Sequence, residues 1–386
     1  KLLSLALLLA LLGGCTAPAQ QPTAVPLPSE AAPSEPLPTT SPSPTTAPTP
    51  DYPAEGTGPN SFPAGYNPLT GLKAADPALL NRRPIIVKVQ NIPREDRPQW
   101  GLPQADLVFE YYTERGSTRF AAVYYGENAE MVGPVRSARN FDLSLVQMFK
   151  GILVFGGAFE ATFSRLVNNV GNQLVVESQY TCPALCRYDP RGKNYLMANT
   201  AALATFLKQA RLDNSAQDLT GLHFNASVPA GGQAVNRVYV RFSAAIYNRW
   251  DWYPEVGRWL RFSDTQNDLD GNNEVYAPLT DRTSGGQIGA DTLVVLLAPY
   301  KAEIITADSE VWDIPLRGQG DGYAFRDGQV FKIQWQRDAA GSIVRLTGAD
   351  GQPFALKPGK TWFEVIGQTS KVTPGDPDWR FTFSTP

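Results

Sequence analysis

The sequence has little of the chemistry on which many hydrolases and metalloenzymes depend. Its 386 residues include one histidine and three cysteines. A catalytic triad needs a histidine beside its nucleophile, and zinc sites take most of their ligands from His and Cys. The single histidine, His223, lies beside Phe224 in a predicted loop. We therefore expect no histidine-dependent nucleophile, no metal site and no cofactor.

The chain also lacks a long apolar run and a net basic charge. The apolar segment 2–12 is too short for a transmembrane helix, which needs about 20 residues. The net charge is −3, and residues 1–60 contain four acidic residues and one basic residue, which leaves the remainder neutral. A nucleic-acid partner is not expected, because phosphate backbones bind to basic surfaces.

The start of the chain resembles a bacterial lipoprotein signal. Segment 2–12 leads into Gly13-Gly14-Cys15, in which a pair of small residues precedes a cysteine. We expect residues 1–15 to be the signal, with lipidation of Cys15 and anchoring to the extracytoplasmic face of the cell membrane. A plain signal peptide is the alternative, but Pro18 fits its Ala-x-Ala cleavage site poorly.

Three further segments follow from composition and periodicity. Residues 16–60 include 13 prolines and show no helix or strand period, which predicts a disordered tether. The remaining residues exceed what one hydrophobic core usually organises, so two domains are expected. We predict an α+β protein, with a mixed α/β domain at 61–235 and a β-rich domain at 236–386.

The mixed domain is predicted from continuous apolar runs, which indicate strands that are covered on both faces. Strands are expected at 84–90, 105–111, 120–125 and 151–155. Helical spacing predicts helices at 140–150, from Glu160 onward and at 199–211. In the second domain, alternating strands, Asp-Gly turns and one buried strand at 291–297 predict β-hairpins.

Four arginines within 25 residues are the leading candidates for ligand binding. Guanidinium groups bind phosphate and carboxylate through planar pairs of N–H donors. If 127–131 is a hairpin turn, the return strand would place Arg136 near the end where Arg119 lies. The candidates are Arg115, Arg119, Arg136 and Arg139. The alternative is a purely structural network with Glu110, Glu114 and Asp142.

A glycine turn and several carboxylates extend this candidate site. Gly156 and Gly157 link a predicted strand to a predicted helix, where free N–H groups suit an anion, although a tight turn without a ligand is the simpler interpretation. Glu160 begins that helix as a general base or a helix-dipole carboxylate. Glu110 and Glu114 form a second candidate acid/base pair.

Other motifs have mainly structural interpretations. Cys182 and Cys186 are expected to form a disulfide, because thiols outside the cytoplasm oxidise. The acidic segment 264–274 resembles a calcium loop, but its spacing fails the EF-hand pattern, so an ordinary turn is favoured. The aromatic residues at 247–259 fit cross-strand packing better than sugar stacking.

Several motifs together resemble the YerB-like bacterial lipoproteins. The resemblance covers most of residues 66–370 and rests on Tyr-Asn-Pro-Leu-Thr-Gly-Leu at 66–72, Arg-Pro-Gln-Trp-Gly-Leu at 97–102, Gly-Pro-Val-Arg-Ser-Ala-Arg at 133–139 and Gly-Lys-Thr-Trp at 359–362. It implies a two-part surface lipoprotein of unassigned biochemical role. This chain has Val154-Phe155-Gly156-Gly157 where a His-Ala-Gly-Gly strand end is expected, which argues against a histidine mechanism there. A looser likeness to the LytR–CpsA–Psr ligases concerns the arrangement of strands and arginines.

The sequence therefore favours a binding lipoprotein. Arg119, Arg136 and Arg139 would hold an anionic group of an envelope polymer or a lipid-linked precursor. The rival is a phosphotransferase or glycosidase that acts on such a polymer through Glu110, Glu114, Asp106 or Glu160. A third interpretation is a structural protein whose domains only pack against a partner.

Overall fold

One large mixed β-sheet organises residues 52–188 and 195–386, which are the residues that the computed structural model describes. The predicted lipoprotein signal with Cys15, and residues 16–51 of the predicted tether, lie outside them. Residues 52–60 correct the predicted end of the tether, because they pack on the folded body. Thr57 is buried, and its backbone N–H donates to the carbonyl of Phe224 at 2.8 Å.

Helices are few in the described part of the chain, and strands are many. The α-helices are α1 Asn140–Phe149, α2 Glu160–Val170 and α3 Thr200–Gln209, with short 3-10 turns at Pro77–Asn81, Arg94–Asp96, Leu102–Gln104 and Gly171–Gln173. The strands are β1 Ile85–Gln90, β2 Leu107–Tyr112, β3 Thr118–Tyr124, β4 Ile152–Phe155, β5 Leu174–Val176, β6 Leu185–Tyr188, β7 Tyr195–Ala198, β8 His223–Phe224, β9 Gln233–Ala234, β10 Arg237–Arg241, β11 Tyr247–Tyr253, β12 Arg258–Asp264, β13 Tyr276–Pro278, β14 Gly289–Ala290, β15 Thr292–Ala298, β16 Lys301–Ile305, β17 Glu310–Asp313, β18 Gly318–Arg326, β19 Gln329–Arg337, β20 Arg345–Thr347, β21 Ala355–Leu356, β22 Thr361–Gly367, β23 Lys371–Thr373 and β24 Asp378–Thr382.

The large sheet draws its strands from both halves of the chain. Its order is β20-β19-β18-β15-β22-β2-β3-β1-β4-β5, with β9 beside β19. Strand β22 pairs in parallel with β2 on one side and with β15 on the other. The change in composition near residue 236 therefore does not separate two independent sheets.

Both faces of this sheet are covered, as the continuous apolar runs predicted. On one face, Phe109 contacts Phe141 and Phe149 of α1, with ring centroids 6.4 and 5.9 Å apart. On the other face, Trp362 packs edge-on against Phe120 and against Trp250 of β11. The second sheet, ordered β13-β12-β11-β10-β24-β23 with β14 beside β12, forms this second cover.

The predicted fold class is confirmed: a mixed α/β N-terminal half precedes a β-rich C-terminal half. Helix α3 begins as predicted, because the Asn199 side chain accepts a hydrogen bond from the N–H of Ala202 at 2.9 Å. None of the helices in residues 52–188 and 195–386 is long and apolar enough to cross a membrane.

Candidate functional site

The candidate site lies at one edge of the large sheet, where its parallel strands end. Strands β1, β2, β4 and β22 run in the same direction, so their carboxyl ends meet there. Strand β3 runs the opposite way and begins at this edge, which places Arg119 opposite Gln90 at the end of β1. Ligands of α/β sheets commonly bind at such an edge.

Two of the predicted arginines converge here on one carboxylate. Glu114 lies in the turn between β2 and β3, and its Oε2 accepts from Nε of Arg139 at 2.6 Å. Its Oε1 accepts from Nη2 of Arg139 and from Nη2 of Arg119, the latter at 3.2 Å. Arg119 also donates to the carbonyl of Ser137 at 2.6 Å. All three charged side chains keep partial exposure, at 17–23%.

The electrostatics of this group follow from its partial burial. Burial raises the pKa of Glu114, but the hydrogen bonds and charge of Arg139 outweigh it, so the pKa lies below its ordinary value. Burial and the nearby charge of Arg139 lower the pKa of Arg119 to about 10. The charge of Arg139 therefore disfavours the charged form of Arg119, and both guanidinium groups share the carboxylate of Glu114.

A second, fully buried layer lies next to this pair. The Lys88 ammonium donates to the Tyr111 hydroxyl at 2.5 Å and lies 3.2 Å from Oδ1 of Asp142. The Tyr111 hydroxyl donates to the same Oδ1 at 2.8 Å. Oδ2 of Asp142 accepts from the backbone N–H of Arg139 at 2.7 Å, which links this layer to the arginines.

Lys88 adds positive charge to the site. Burial lowers its pKa to about 8, although Asp142 opposes this effect. Burial also holds the pKa of Tyr111 well above its ordinary value, so the phenol stays neutral. The edge cluster, which we define as Lys88, Tyr111, Glu114, Arg119, Arg139 and Asp142, contains three cationic and two anionic side chains at neutral pH. It therefore has one positive charge in excess.

Arg136 belongs to a neighbouring but separate group. Its segment lies beside β1, because its backbone N–H donates to the carbonyl of Lys88 at 3.0 Å. Its guanidinium is 3.5 Å from Oδ2 of Asp96, and burial lowers its pKa. The carbonyl of Arg136 accepts from the N–H of Gly156 at 3.1 Å, so the predicted glycine turn lies next to this arginine.

The remaining candidates in this region, Gly157, Arg115 and Glu160, are not part of the edge cluster. Gly157 has a φ of +127°, and its carbonyl accepts from the N–H of Ala138 at 2.8 Å. Arg115 is exposed in the turn after β2, at a φ of +46°, and donates to the carbonyl of Ala307. Its guanidinium contacts Ala307 and not Glu114, contrary to the expected cluster of four. Glu160 is exposed at the first position of α2.

The structure also separates the two carboxylates that the sequence paired. Glu110 is fully buried within β2, and its neighbour across the strands is Glu364 of β22. Arg261 donates to both, at 2.7 Å to Glu110 and 3.1 Å to Glu364. Asp106 is likewise buried, and it accepts from the N–H groups of Tyr125 and Gly126. Neither Glu110 nor Asp106 faces solvent, so neither is placed to contact a polymer.

Two further predictions have structural counterparts. The sulfur atoms of Cys182 and Cys186 are bonded, with their Cα atoms 5.0 Å apart. In the acidic segment, Asp268 and Glu274 form ion pairs with Arg241 at 2.7 and 3.0 Å. The acidic side chains of this turn are therefore paired with Arg241.

Sequence reasoning missed the buried members of these networks. Lys88 interrupts the apolar run of β1, and Glu364 interrupts that of β22. A single charged residue inside a buried strand is a usable signal, because burying a charge requires a partner. Arg261 gave no such signal, since β12 also contains Arg258, Ser263 and Asp264 and is not a continuous apolar run.

Comparison with known proteins was made for the whole chain. Residues 69–213 match the N-terminal domain, and residues 238–363 match the C-terminal domain, of a family described as protein of unknown function (DUF3048). A relative is YerB of Bacillus subtilis (strain 168), provisionally named a lipoprotein. It is 28% identical over 302 residues, which are 78% of this chain and 85% of the relative.

A solved structure supports the same relationship. The crystal structure of the YerB protein from Bacillus subtilis superposes with a TM-score of 0.65 at 25% identity. The match covers 78% of this chain and 96% of the solved chain. The fold described above is therefore similar to that of YerB.

Proposed function

Because the chain belongs to the YerB-like family and has both of its domains, we propose that it is a lipid-anchored extracytoplasmic protein that binds an anionic envelope ligand at the edge cluster. The ligand class is a phosphorylated envelope polymer or a lipid-linked phosphate precursor. The anchor is Cys15, in keeping with the lipoprotein name that the relative has.

The excess positive charge of the edge cluster carries the proposal. Arg119 and Arg139 share Glu114, so an arriving phosphate finds N–H donors that are already held in position. Preorganised guanidinium groups bind phosphate without a further loss of side-chain entropy. The first turn of α1, which begins at Asn140, adds the positive end of a helix dipole next to Arg139.

Isothermal titration with a synthetic poly(glycerol phosphate) tests this site. Arg139→Ala is expected to weaken binding at least tenfold, because it removes the two-pronged donor. Glu114→Gln is expected to strengthen binding, because it leaves both guanidinium groups without their shared counter-charge. A general loss of folding would weaken binding in both variants, so it would not produce affinity changes of opposite sign.

Arg237→Ala is the matched control. Arg237 lies on β10 of the second sheet, and its side chain is 51% exposed. It is expected to leave binding unchanged. Equal affinity of the wild type, Arg139→Ala and Glu114→Gln would refute the assignment of the site.

A further inference from the structure

A further arginine lies directly beside the edge cluster, on the segment that leads into α1. The carbonyl of Ser137 accepts from Nη1 of Arg119 at 2.6 Å and from Nη1 of Arg139 at 3.4 Å. Arg136 immediately precedes Ser137, and consecutive Cα atoms are about 3.8 Å apart. A ligand that contacts the two guanidinium groups of the cluster can therefore reach Arg136 over a short distance.

The guanidinium of Arg136 is held only loosely. Its hydrogen bonds in the described part of the chain are two long ones, to the carbonyl of Val135 at 3.4 Å and to Oδ2 of Asp96 at 3.5 Å. That oxygen of Asp96 already accepts from Nε2 of Gln90. The Arg136 side chain is also 34% exposed. Most of its five N–H donors are therefore open to an anion that arrives from solvent.

Other donors border Arg136. The hydroxyl of Ser137 is half-buried and makes no hydrogen bond to any residue in 52–188 or 195–386. The N–H of Gly156 donates to the carbonyl of Arg136, whereas the N–H of Gly157 donates to no residue that the structure describes. No atom lies within 4 Å of the place that a Cβ would take at Gly157, so a ligand can approach the backbone there.

Arg136 and the edge cluster offer two positions to a ligand, and they differ in strength. Arg119 and Arg139 contact Glu114, whereas Arg136 contacts Asp96, so the two groups share no acid. Asp96 balances the charge of Arg136, but the edge cluster has one positive charge in excess. A phosphate therefore binds first at the cluster. Arg136 adds affinity when the same molecule presents a second phosphate, because that phosphate is held close by at a high effective concentration.

We propose that Arg136 and Ser137 form a second phosphate subsite, and that the ligand is a polymer of repeating phosphate esters. One phosphate occupies the edge cluster, and another phosphate of the same chain contacts the Arg136 guanidinium. This inference rests on the function proposed above and narrows its ligand class. A lipid-linked precursor is disfavoured, because it presents its phosphate at a single point.

Isothermal titration with two probes, poly(glycerol phosphate) and glycerol 3-phosphate, tests the second subsite. Arg136→Ala is expected to weaken binding of the polymer about tenfold and to change binding of glycerol 3-phosphate less than twofold. Arg139→Ala is expected to weaken binding of both probes, because it removes donors from the edge cluster. Unchanged binding of glycerol 3-phosphate also shows that Arg136→Ala is folded. Arg237→Ala is again the control for the loss of one exposed positive charge.

The outcomes separate this inference from the proposed function. If Arg136→Ala left polymer binding unchanged, or weakened both probes equally, the second subsite would be wrong, although a loss in Arg139→Ala would still support the edge cluster. If Arg139→Ala changed neither affinity, both proposals would fail. Dodecyl phosphate is the probe for the lipid-linked class. Tighter binding of dodecyl phosphate than of the polymer would assign the site to a lipid phosphate and overturn the inference.

Discussion

Replacing Glu364 with glutamine is expected to remove most of the pH dependence of folding stability between pH 6 and 8. Glu364 and Glu110 are fully buried beside one guanidinium, that of Arg261. Glu110 accepts hydrogen bonds through both oxygens, from Asn91, Thr118, Arg261 and Asn248. No residue in the described ranges donates to Oε2 of Glu364, so the negative charge is better stabilised on Glu110.

The pKa of Glu364 follows from the same surroundings. Burial, with the charge of Glu110 second, raises the pKa of Glu364 to about 8, above the ordinary 4.5. The charge of Arg261 and the hydrogen bonds of Trp250 and Asn248 oppose this effect, because they favour the carboxylate.

The sign and size of the effect follow from proton linkage. Between the unfolded and folded pKa values the folded state binds one proton more than the unfolded state, so the free energy of unfolding falls as pH rises. One group contributes at most about 1.4 kcal/mol per pH unit, and the slope flattens near the folded pKa, so the loss from pH 6 to pH 8 is on the order of 2 kcal/mol. Asp106, whose pKa burial raises to about 6, titrates mainly below this window. Lys88, with its pKa lowered to about 8, contributes mainly above it.

Urea unfolding at pH 6, 7 and 8, followed by tryptophan fluorescence, measures this slope. Glutamine keeps the shape of the side chain and does not titrate. The Glu364→Gln variant is therefore expected to be about as stable as the wild type at pH 6 and more stable at pH 8. Glu130→Gln, at an exposed position, is the control. A constant difference between wild type and Glu364→Gln at all three pH values would show that Glu364 does not titrate in this window.

Three other predictions concern the same buried charges and the membrane anchor. Arg261→Met is expected to cost about 3–5 kcal/mol of unfolding free energy at pH 7, because it leaves Glu110 buried without its counter-ion, and urea unfolding measures this loss. Affinity for poly(glycerol phosphate) is expected to fall from pH 7 to pH 9 in the wild type, as Lys88 loses its proton, but not in Lys88→Met, and titration at constant ionic strength compares them. Cys15→Ser is expected to move the protein from the membrane fraction to the soluble fraction, and an unchanged membrane fraction would contradict the lipid anchor.

The strands and helices of the N-terminal half could be predicted because their signals are local. The apolar runs around Val87, Phe109 and Val154 each fill a strand that is covered on both faces. Helices α1 and α2 begin where the spacing predicted, at Asn140 and Glu160. The end of the tether was not predictable, because the pairing of Thr57 with Phe224 joins positions that are far apart in the chain.

The candidate site could be predicted only in part, for a related reason. The spacing around β3 and the following turn predicted that Arg136 would lie near Arg119, but Arg139 joins Arg119 on Glu114, and Arg136 pairs with Asp96. The sequence did not predict which acid the two arginines share, since Glu110, Glu114 and Asp142 are all close to them in sequence. The structure shows that the shared acid is Glu114, which lies in the turn after β2, whereas side chains within β2 point into the covered faces of the sheet.

The Glu110–Arg261–Glu364 network joins the two halves of this chain into one folded body. Glu110 comes from the N-terminal half, and Arg261 and Glu364 come from the C-terminal half. Strand β22 completes the backbone hydrogen bonds of β2 on its open side, and its Glu364 lies directly opposite Glu110. Without the C-terminal half, β2 would expose an unpaired edge and Glu110 would lose its counter-ion. A buried charge inside an apolar strand is stable only when its partner arrives from elsewhere, so β2 is compatible with folding only alongside β12 and β22.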